Sequence, residues 1–191
     1  MKAKKIVALI LCAALLMAGT VAATLAYLQS SDSVTNTFTV GKVVITLDEA
    51  KVDLYGVEVA GEKRVDANQY KLIPGHTYVK DPTIHVEANS EKCWLFAKIE
   101  NGLGAAGTIA GMTGWTPIAA DSNIYYYNTA IESSTTVQNV VVFTDFTFGA
   151  TADPDAYKTA EIKITAYAVQ YDGFDGENGA VAAWNATFGK Q

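Results

Sequence analysis

Residues 93–100 of the chain read CWLFAKIE, and apolar side chains recur along them with a period of two. The odd-numbered positions from Cys93 to Ile99 are all apolar, whereas the even-numbered positions change from Trp94 and Phe96 to two charged residues. Successive side chains of a strand point to opposite faces. The pattern therefore predicts a strand with one face buried along its whole length.

A second long strand is predicted at residues 160–171. Ile162 and Ile164 begin one apolar face of this strand, and Tyr167 and Val169 lie on the opposite face. Apolar residues on both faces are typical of a strand that is covered on both sides. Other parts of the domain are therefore expected to pack against both faces of this strand.

The remaining sequence also favours short strands. Clusters of Gly, Pro, Asn and Asp separate seven further β-rich stretches, which are 37–47, 52–59, 70–73, 83–87, 114–119, 124–129 and 137–148. Many short strands with turn residues between them are typical of a sandwich or a jelly roll. We therefore predict an all-β domain over residues 37–191, a jelly-roll-like β-sandwich with one short C-terminal helix.

Two segments between or after the strands have a different composition. Residues 101–112 contain four glycines, which weaken both helices and strands, and they are predicted to form a flexible loop between sheets. Residues 177–188 are rich in alanine and place Val181, Trp184 and Phe188 at helical spacing. They are predicted to form a helix that packs Trp184 on the sandwich.

The first 26 residues have the pattern of a signal peptide. Lysines 2, 4 and 5 precede an uncharged stretch from residue 6 to Ala26, which ends in the small-x-small sequence that signal peptidase accepts. Cleavage is predicted between Ala26 and Tyr27. A retained membrane anchor is the alternative, because the apolar run approaches the length of a spanning helix.

Charge and cysteine content restrict the function classes. The formal net charge is -6, although the leader carries three lysines and no acid, so the remainder is more acidic still. An acidic chain repels phosphate backbones, which argues against a nucleic-acid partner and leaves the leader as the only membrane contact. Cys12 lies in the leader, so Cys93 alone remains after cleavage and cannot form an intrachain disulfide.

Catalytic and metal-binding patterns are sparse. No His-Glu-x-x-His or Gly-x-Ser-x-Gly motif occurs, and Cys93 lies inside an apolar strand. His76, His85 and Glu87 are the candidate zinc ligands, and the acidic turn at 172–178 is the candidate calcium loop. We predict no resident cofactor, with zinc and calcium at these two places as the alternatives.

Two motifs are predicted to be structural turns. Pro74-Gly75 has the composition of a tight turn. In Lys80-Asp81-Pro82, the proline cannot donate to a strand ladder and biases the preceding residue away from helical conformations. Together they are expected to set two short strands at an angle, as a jelly-roll corner requires.

Three stretches of the sequence together resemble the TasA/camelysin family. The first covers residues 24–47 and contains TLAYL, VTNTFTVG and VVITL; the second is LIPGHTYVKDPTI at 72–84; the third is YAVQYDGF at 167–174, followed by Ala183-Trp184. The resemblance spans most of the chain. It implies a jelly-roll domain, a leader removed by a dedicated SipW-type signal peptidase, and a place in the extracellular fibres of a biofilm matrix.

The resemblance also implies assembly by strand donation. Residues 27–36 form an extended segment without Gly or Pro, in which Tyr27, Leu28 and Val34 are the residues able to pack. A strand added to an open sheet edge satisfies backbone donors and acceptors along its length. This segment is therefore expected to complete the sheet of a neighbouring copy or of a related matrix subunit after the leader is removed.

Three functions are weighed for this sequence. The leading hypothesis is a secreted, non-enzymatic structural subunit of matrix or cell-surface fibres. One alternative is a secreted camelysin-like metal-dependent endopeptidase, which the family label suggests although no peptidase motif is present. Another is a cell-surface adhesin that binds through residues 125–127, three consecutive tyrosines.

Overall fold

The computed structural model of the chain describes residues 41–120 and 122–189. These residues form ten strands and one α-helix, together with two short 3-10 turns at Gly104–Ala106 and Pro154–Tyr157. The strands are β1 Ile45–Asp48, β2 Thr77–Val79, β3 Thr83–Val86, β4 Cys93–Asn101, β5 Gly107–Ala110, β6 Trp115–Pro117, β7 Ile124–Tyr127, β8 Gln138–Val141, β9 Asp145–Phe148 and β10 Ile162–Gln170, and the helix is α1 Gly179–Thr187. The prediction of an all-β sandwich with a short C-terminal helix is confirmed.

All strand pairs are antiparallel and they form three sheets. Their strand orders are β1-β3-β8, β10-β4-β7-β6 and β2-β9-β5. The first two sheets enclose the main core, in which Ile84, Leu95 and Phe143 are completely buried. The third sheet has its own smaller core around Tyr78 and Phe146, whose rings stack with their centroids 4.9 Å apart.

The two long strands pair along their whole length in the four-stranded sheet, with β10 at its edge and β4 inside it. Cys93 on β4 lies opposite Gln170 on β10, and the register continues to Asn101 opposite Ile162. One face of this pair contributes to the main core and the other packs beneath helix α1. The predicted cover on both faces of the strand at 160–171 is therefore seen in β10, and β4 shares it through Trp94 and Phe96.

Helix α1 forms the outer cover of this sheet. Ala183 is completely buried on the inner face of the helix. The ring centroid of Trp184 lies 5.2 Å from that of Phe96 and 5.3 Å from that of Tyr167. The predicted packing of Trp184 on the sandwich is confirmed. No helix in the described part of the chain is long and apolar enough to span a membrane.

The Gly-rich segment at 101–112 is not the flexible loop that its composition predicts. It contains a 3-10 turn and strand β5, which pairs with β9 from Gly107 opposite Phe148. Gly107 is buried so closely against Leu103 that an added Cβ atom would lie 2.6 Å from that side chain. Close packing, in place of flexibility, is the reason for a glycine at this position.

Three predicted strands are also wrong in extent. The stretch 137–148 is two strands in different sheets. Residues 70–73 form no strand, and 52–59 form one bridge between Val52 and Glu58 around a tight turn. In that turn the Asp53 carboxylate accepts backbone hydrogen bonds at 2.8 and 2.9 Å, so a side chain replaces strand pairing.

Candidate functional site

The residues predicted for leader cleavage and strand donation lie outside the described part of the chain. These residues are Ala26, Tyr27, Leu28 and Val34. Their roles stay predictions. The described residues do contain the predicted turn motifs, the histidines and the sheet edges that a donated strand would need.

Pro74 and Gly75 form a tight turn before β2. The His76 amide donates to the Ile73 carbonyl at 3.1 Å, and Gly75 has a φ of 78°. Proline at the second position and a positive φ at the third are the features of a type II turn. The predicted turn at this motif is therefore present.

Lys80, Asp81 and Pro82 form the corner at which the chain changes sheets. They connect β2 of the third sheet to β3 of the first, and residues 142–144 connect β8 to β9 directly opposite them. The Lys80 amide donates to the Thr144 carbonyl at 3.1 Å, and the Val142 amide donates to the Pro82 carbonyl at 2.8 Å. The two segments of the chain therefore bend at the same place, and Pro82 lies where no backbone N–H is needed for strand pairing.

Charged side chains brace this corner. We call Asp48, Glu49, Arg64, Lys80 and Asp81 the corner cluster. Arg64 forms ion pairs with Asp48 and with Asp81, the latter at 2.8 Å, and its guanidinium also donates to the Asp81 carbonyl at 3.0 Å. The other Asp81 oxygen accepts from the Ala50 amide at 2.7 Å. These ion pairs and hydrogen bonds connect the end of β1 to the corner.

A second ion pair in the corner cluster is buried. Lys80 donates to the Glu49 carboxylate, and the two side chains are only 9% and 5% exposed. Losing one partner of a buried pair typically costs about 3–5 kcal/mol, because the other charge is left uncompensated. Substitution of Lys80 alone is therefore expected to destabilise the corner.

The carboxylate of Asp48 is shared between Arg64 and His85. Burial alone would raise the pKa of Asp48, but hydrogen bonds from Arg64 and His85 outweigh it and the pKa is lowered. Burial likewise opposes the charged form of His85, yet its hydrogen bonds to Asp48 at 2.8 Å and Asn139 at 2.7 Å leave its pKa raised. Each partner thus favours the charged form of the other.

The candidate zinc ligands have separate hydrogen-bond partners. His76 Nε2 contacts the Tyr55 carbonyl oxygen at 2.9 Å, both His85 nitrogens are hydrogen-bonded as above, and Glu87 accepts from Thr46 at 3.3 Å. Over residues 41–120 and 122–189, no group of three or more His, Cys, Asp or Glu side chains is placed to hold a metal ion. That finding includes the acidic turn at 172–178.

Cys93 and the three tyrosines are integrated into the two cores. Cys93 is completely buried, and burial raises the pKa of its thiol to about 11. Tyr125 and Tyr127 pack on the main core, while Tyr126 faces the core beneath α1. The tyrosines thus alternate between two cores, and their rings support the strand packing.

A groove opens where the two main sheets meet along β1 and β10. These strands lie side by side, yet each is the edge of its own sheet, and no backbone hydrogen bond joins them in the described part of the chain. Among the described strands, β1 and β10 thus each have one edge without a pairing partner, and an edge of this kind can pair with a further strand.

The core is incompletely covered along this groove. On β4 the inward residues Leu95 and Ala97 are fully buried, whereas Ile162, Ile164 and the others facing the same core from β10 are only partly buried. The same contrast separates β3 from β1, whose Ile45 and Leu47 are partly buried. The core is therefore less completely covered beside β1 and β10 than beside β3 and β4.

The groove has a volume of about 980 Å³ at the end where β1 stops and β10 begins. Its apolar lining includes side chains from both main strands and from the smaller core, among them Leu47, Tyr70, Leu72, Phe146 and Ile162. The corner cluster lies at its rim through Asp48, Glu49 and Lys80. The sequence analysis did not single out Glu49 or Arg64. The only signal in the sequence was that Arg64 is the single arginine of the chain.

Comparison with known proteins gave no match: a scan against protein-family models, a search of curated proteins and a search of solved structures each found none.

Proposed function

We propose that the chain is a secreted structural subunit of extracellular matrix fibres, related to the TasA/camelysin proteins that its motifs resemble. After removal of the leader, residues 27–36 of one copy enter the groove between β1 and β10 of the next copy. Because donor and acceptor surfaces differ, the contact is head-to-tail and does not close on itself. Repetition of the contact grows a filament.

The observation that carries this proposal is the partly buried core beside two strand edges that pair with no other described strand. A strand added along the outer edge of β1 or of β10 would pair with that edge and cover the partly buried side chains of Leu47 and Ile164. A groove of this kind favours a peptide strand over a small ligand.

Negative-stain electron microscopy of the purified mature protein tests the proposal. Protein beginning at Tyr27 is expected to form fibres, and protein beginning at residue 37 is expected to remain monomeric. Fibres from the shortened protein, or none from the mature protein, would overturn strand donation. Mass spectrometry of the secreted protein checks that its first residue is Tyr27.

A matched pair of substitutions on β1 tests the groove. Leu47 faces the groove and Thr46 faces solvent on the opposite side of the same strand. Leu47→Lys places a charge where the donated strand packs and is expected to abolish fibres, whereas Thr46→Lys is expected to retain them. Circular dichroism of both variants checks that the domain is folded. Equal assembly of the two variants would contradict this location of the acceptor site.

A further inference from the structure

Three polar side chains meet behind the corner, beside the groove. The Glu49 carboxylate accepts from Lys80 Nζ on one oxygen and from Asn68 Nδ2 on the other, the latter at 3.0 Å. Glu49 and Lys80 are buried and Asn68 is partly buried. A single carboxylate thus binds an ammonium group through one oxygen and a carboxamide through the other.

The amide of Asn68 is fixed in one orientation. Its nitrogen also donates to the Ala50 carbonyl at 2.8 Å, and its oxygen accepts from the Val52 amide at 3.1 Å. The Val52 N–H points at the oxygen on which negative charge would develop if a nucleophile attacked the amide carbon. A backbone donor at this position stabilises a tetrahedral intermediate.

Glu49 and Lys80 are shielded from water by burial. The Tyr70 ring lies 5.9 Å from Lys80 Nζ. Burial raises the pKa of the Tyr70 hydroxyl, and the nearby carboxylates of Glu49 and Asp81 raise it further. Electrostatic interactions and proton transfers are stronger in such a site than in water.

We propose that Lys80 and Asn68 form an intramolecular isopeptide bond, with Glu49 as the catalytic residue that transfers the proton. Glu49 takes a proton from the Lys80 ammonium, and the free amine attacks Cγ of Asn68. The Nζ–Cγ bond forms, the Cγ–Nδ2 bond breaks, and the departing nitrogen receives its proton through Glu49. The products are a secondary amide and one ammonium ion, so no oxidant or external reactant is needed.

The bond would join covalently two segments that side-chain hydrogen bonds and an ion pair already connect. It would link the loop after residue 66, which has no strand pairing, to the corner between β2 and β3. Outside the leader the chain has a single cysteine, so it has no intrachain disulfide to do this. A cross-link removes conformational entropy from the unfolded state in the same way as a disulfide.

Intact-mass measurement of the folded mature protein tests the proposal. The protein is expected to be lighter than its sequence mass by one ammonia, and digestion is expected to give a branched peptide that joins Lys80 to Asn68. The loss should be absent in protein kept in denaturant from synthesis onward and should appear after refolding. If the folded protein has the full mass of its sequence, Lys80 and Glu49 form an ordinary ion pair and the proposal is overturned.

Two variants assign the chemistry. Lys80→Arg keeps the positive charge but removes the amine nucleophile, and Glu49→Gln keeps the size but removes the proton carrier. Both are expected to have the full sequence mass. Loss of ammonia that persists in Lys80→Arg would indicate cyclisation of Asn68 on its own backbone, and loss of water in the unsubstituted protein would place the bond on Glu49; either result overturns the bond to Asn68.

Discussion

Arg64 holds together a cluster of side chains that no local sequence pattern predicts. Its guanidinium reaches the side chains of Asp48, Asp81 and Thr83, which come from β1, the corner and β3. A planar group with five donors suits such shared recognition better than a lysine ammonium. None of these partners is close to Arg64 in sequence, so only the folded chain reveals the cluster.

The corner cluster also predicts a pH dependence of stability at the residue scale. The raised pKa of His85 contributes stability that is complete below its ordinary value of 6.5 and is lost as the pH rises through its folded value. The lowered pKa of Asp48 contributes stability that is present above 3.8 and is lost as the pH falls through its folded value. The His85–Asp48 pair therefore stabilises the domain most between these two values.

His85→Gln tests this dependence. The difference in Tm between the unsubstituted protein and the variant is expected to be largest near pH 5, about midway between the ordinary carboxyl and imidazole pKa values, and to shrink in alkaline solution. Differential scanning calorimetry across pH measures it. In an Asp48→Asn background, the substitution should lose most of its pH-dependent effect. A difference that is constant across pH would contradict the pairing.

At the scale of elements, periodicity predicted the long strands better than the short ones. The alternation in β4 and β10 is long enough to define both faces, and β10 is covered on both as expected. The run at 137–148 is rich in valine, phenylalanine and threonine and contains no Gly or Pro, so neither of these turn residues marks the bend between β8 and β9. The bend exists because the neighbouring segment, which contains Lys80 and Pro82, turns at the same place and bonds to it.

The Gly-rich segment before β5 shows a second limit of local reasoning. Glycine there permits close contact with Leu103, a consequence of packing that composition alone does not distinguish from flexibility. The Pro74-Gly75 turn was predictable, in contrast, because its geometry depends on those two residues alone. Local chemistry thus predicted the turns, whereas the sheet edges and the corner cluster required tertiary structure.

Helix α1 carries a prediction of its own. Trp184 joins the helix to Phe96 and Tyr167, so Trp184→Ala should lower the free energy of unfolding by about 2–3 kcal/mol, less than the ~3–5 kcal/mol typical of a fully buried tryptophan. Urea denaturation followed by circular dichroism measures the loss. The matched control is Asn185→Ala on the exposed face of the same helix, which should change stability by less than about 0.5 kcal/mol. A similar loss in both variants would argue against the packing role.

At the scale of the whole molecule, the main core of the described residues is less completely covered along β1 and β10 than along β3 and β4. A domain that leaves part of its core exposed at unpaired edges is less stable than its size permits, because apolar burial is the main favourable term in folding. Whatever fills the groove should therefore stabilise the entire domain. In the proposed fibre, each subunit would supply that stabilisation to its neighbour.

A peptide corresponding to residues 27–36 should reproduce this effect on the shortened domain that begins at residue 37. At a concentration 100 times its Kd, a ligand that binds only the folded state adds about 2.7 kcal/mol, which for a domain of this size raises Tm by about 5–10 °C. Leu28 and Val34 would share one face of the added strand, so a peptide with aspartate at both positions is the matched control and should give no shift. The unsubstituted peptide should also fail to stabilise the Leu47→Lys domain, since the charge lies under the incoming strand. An equal rise with the control peptide, or with the Leu47→Lys domain, would mean that the segment binds elsewhere and that the uncovered core has another occupant.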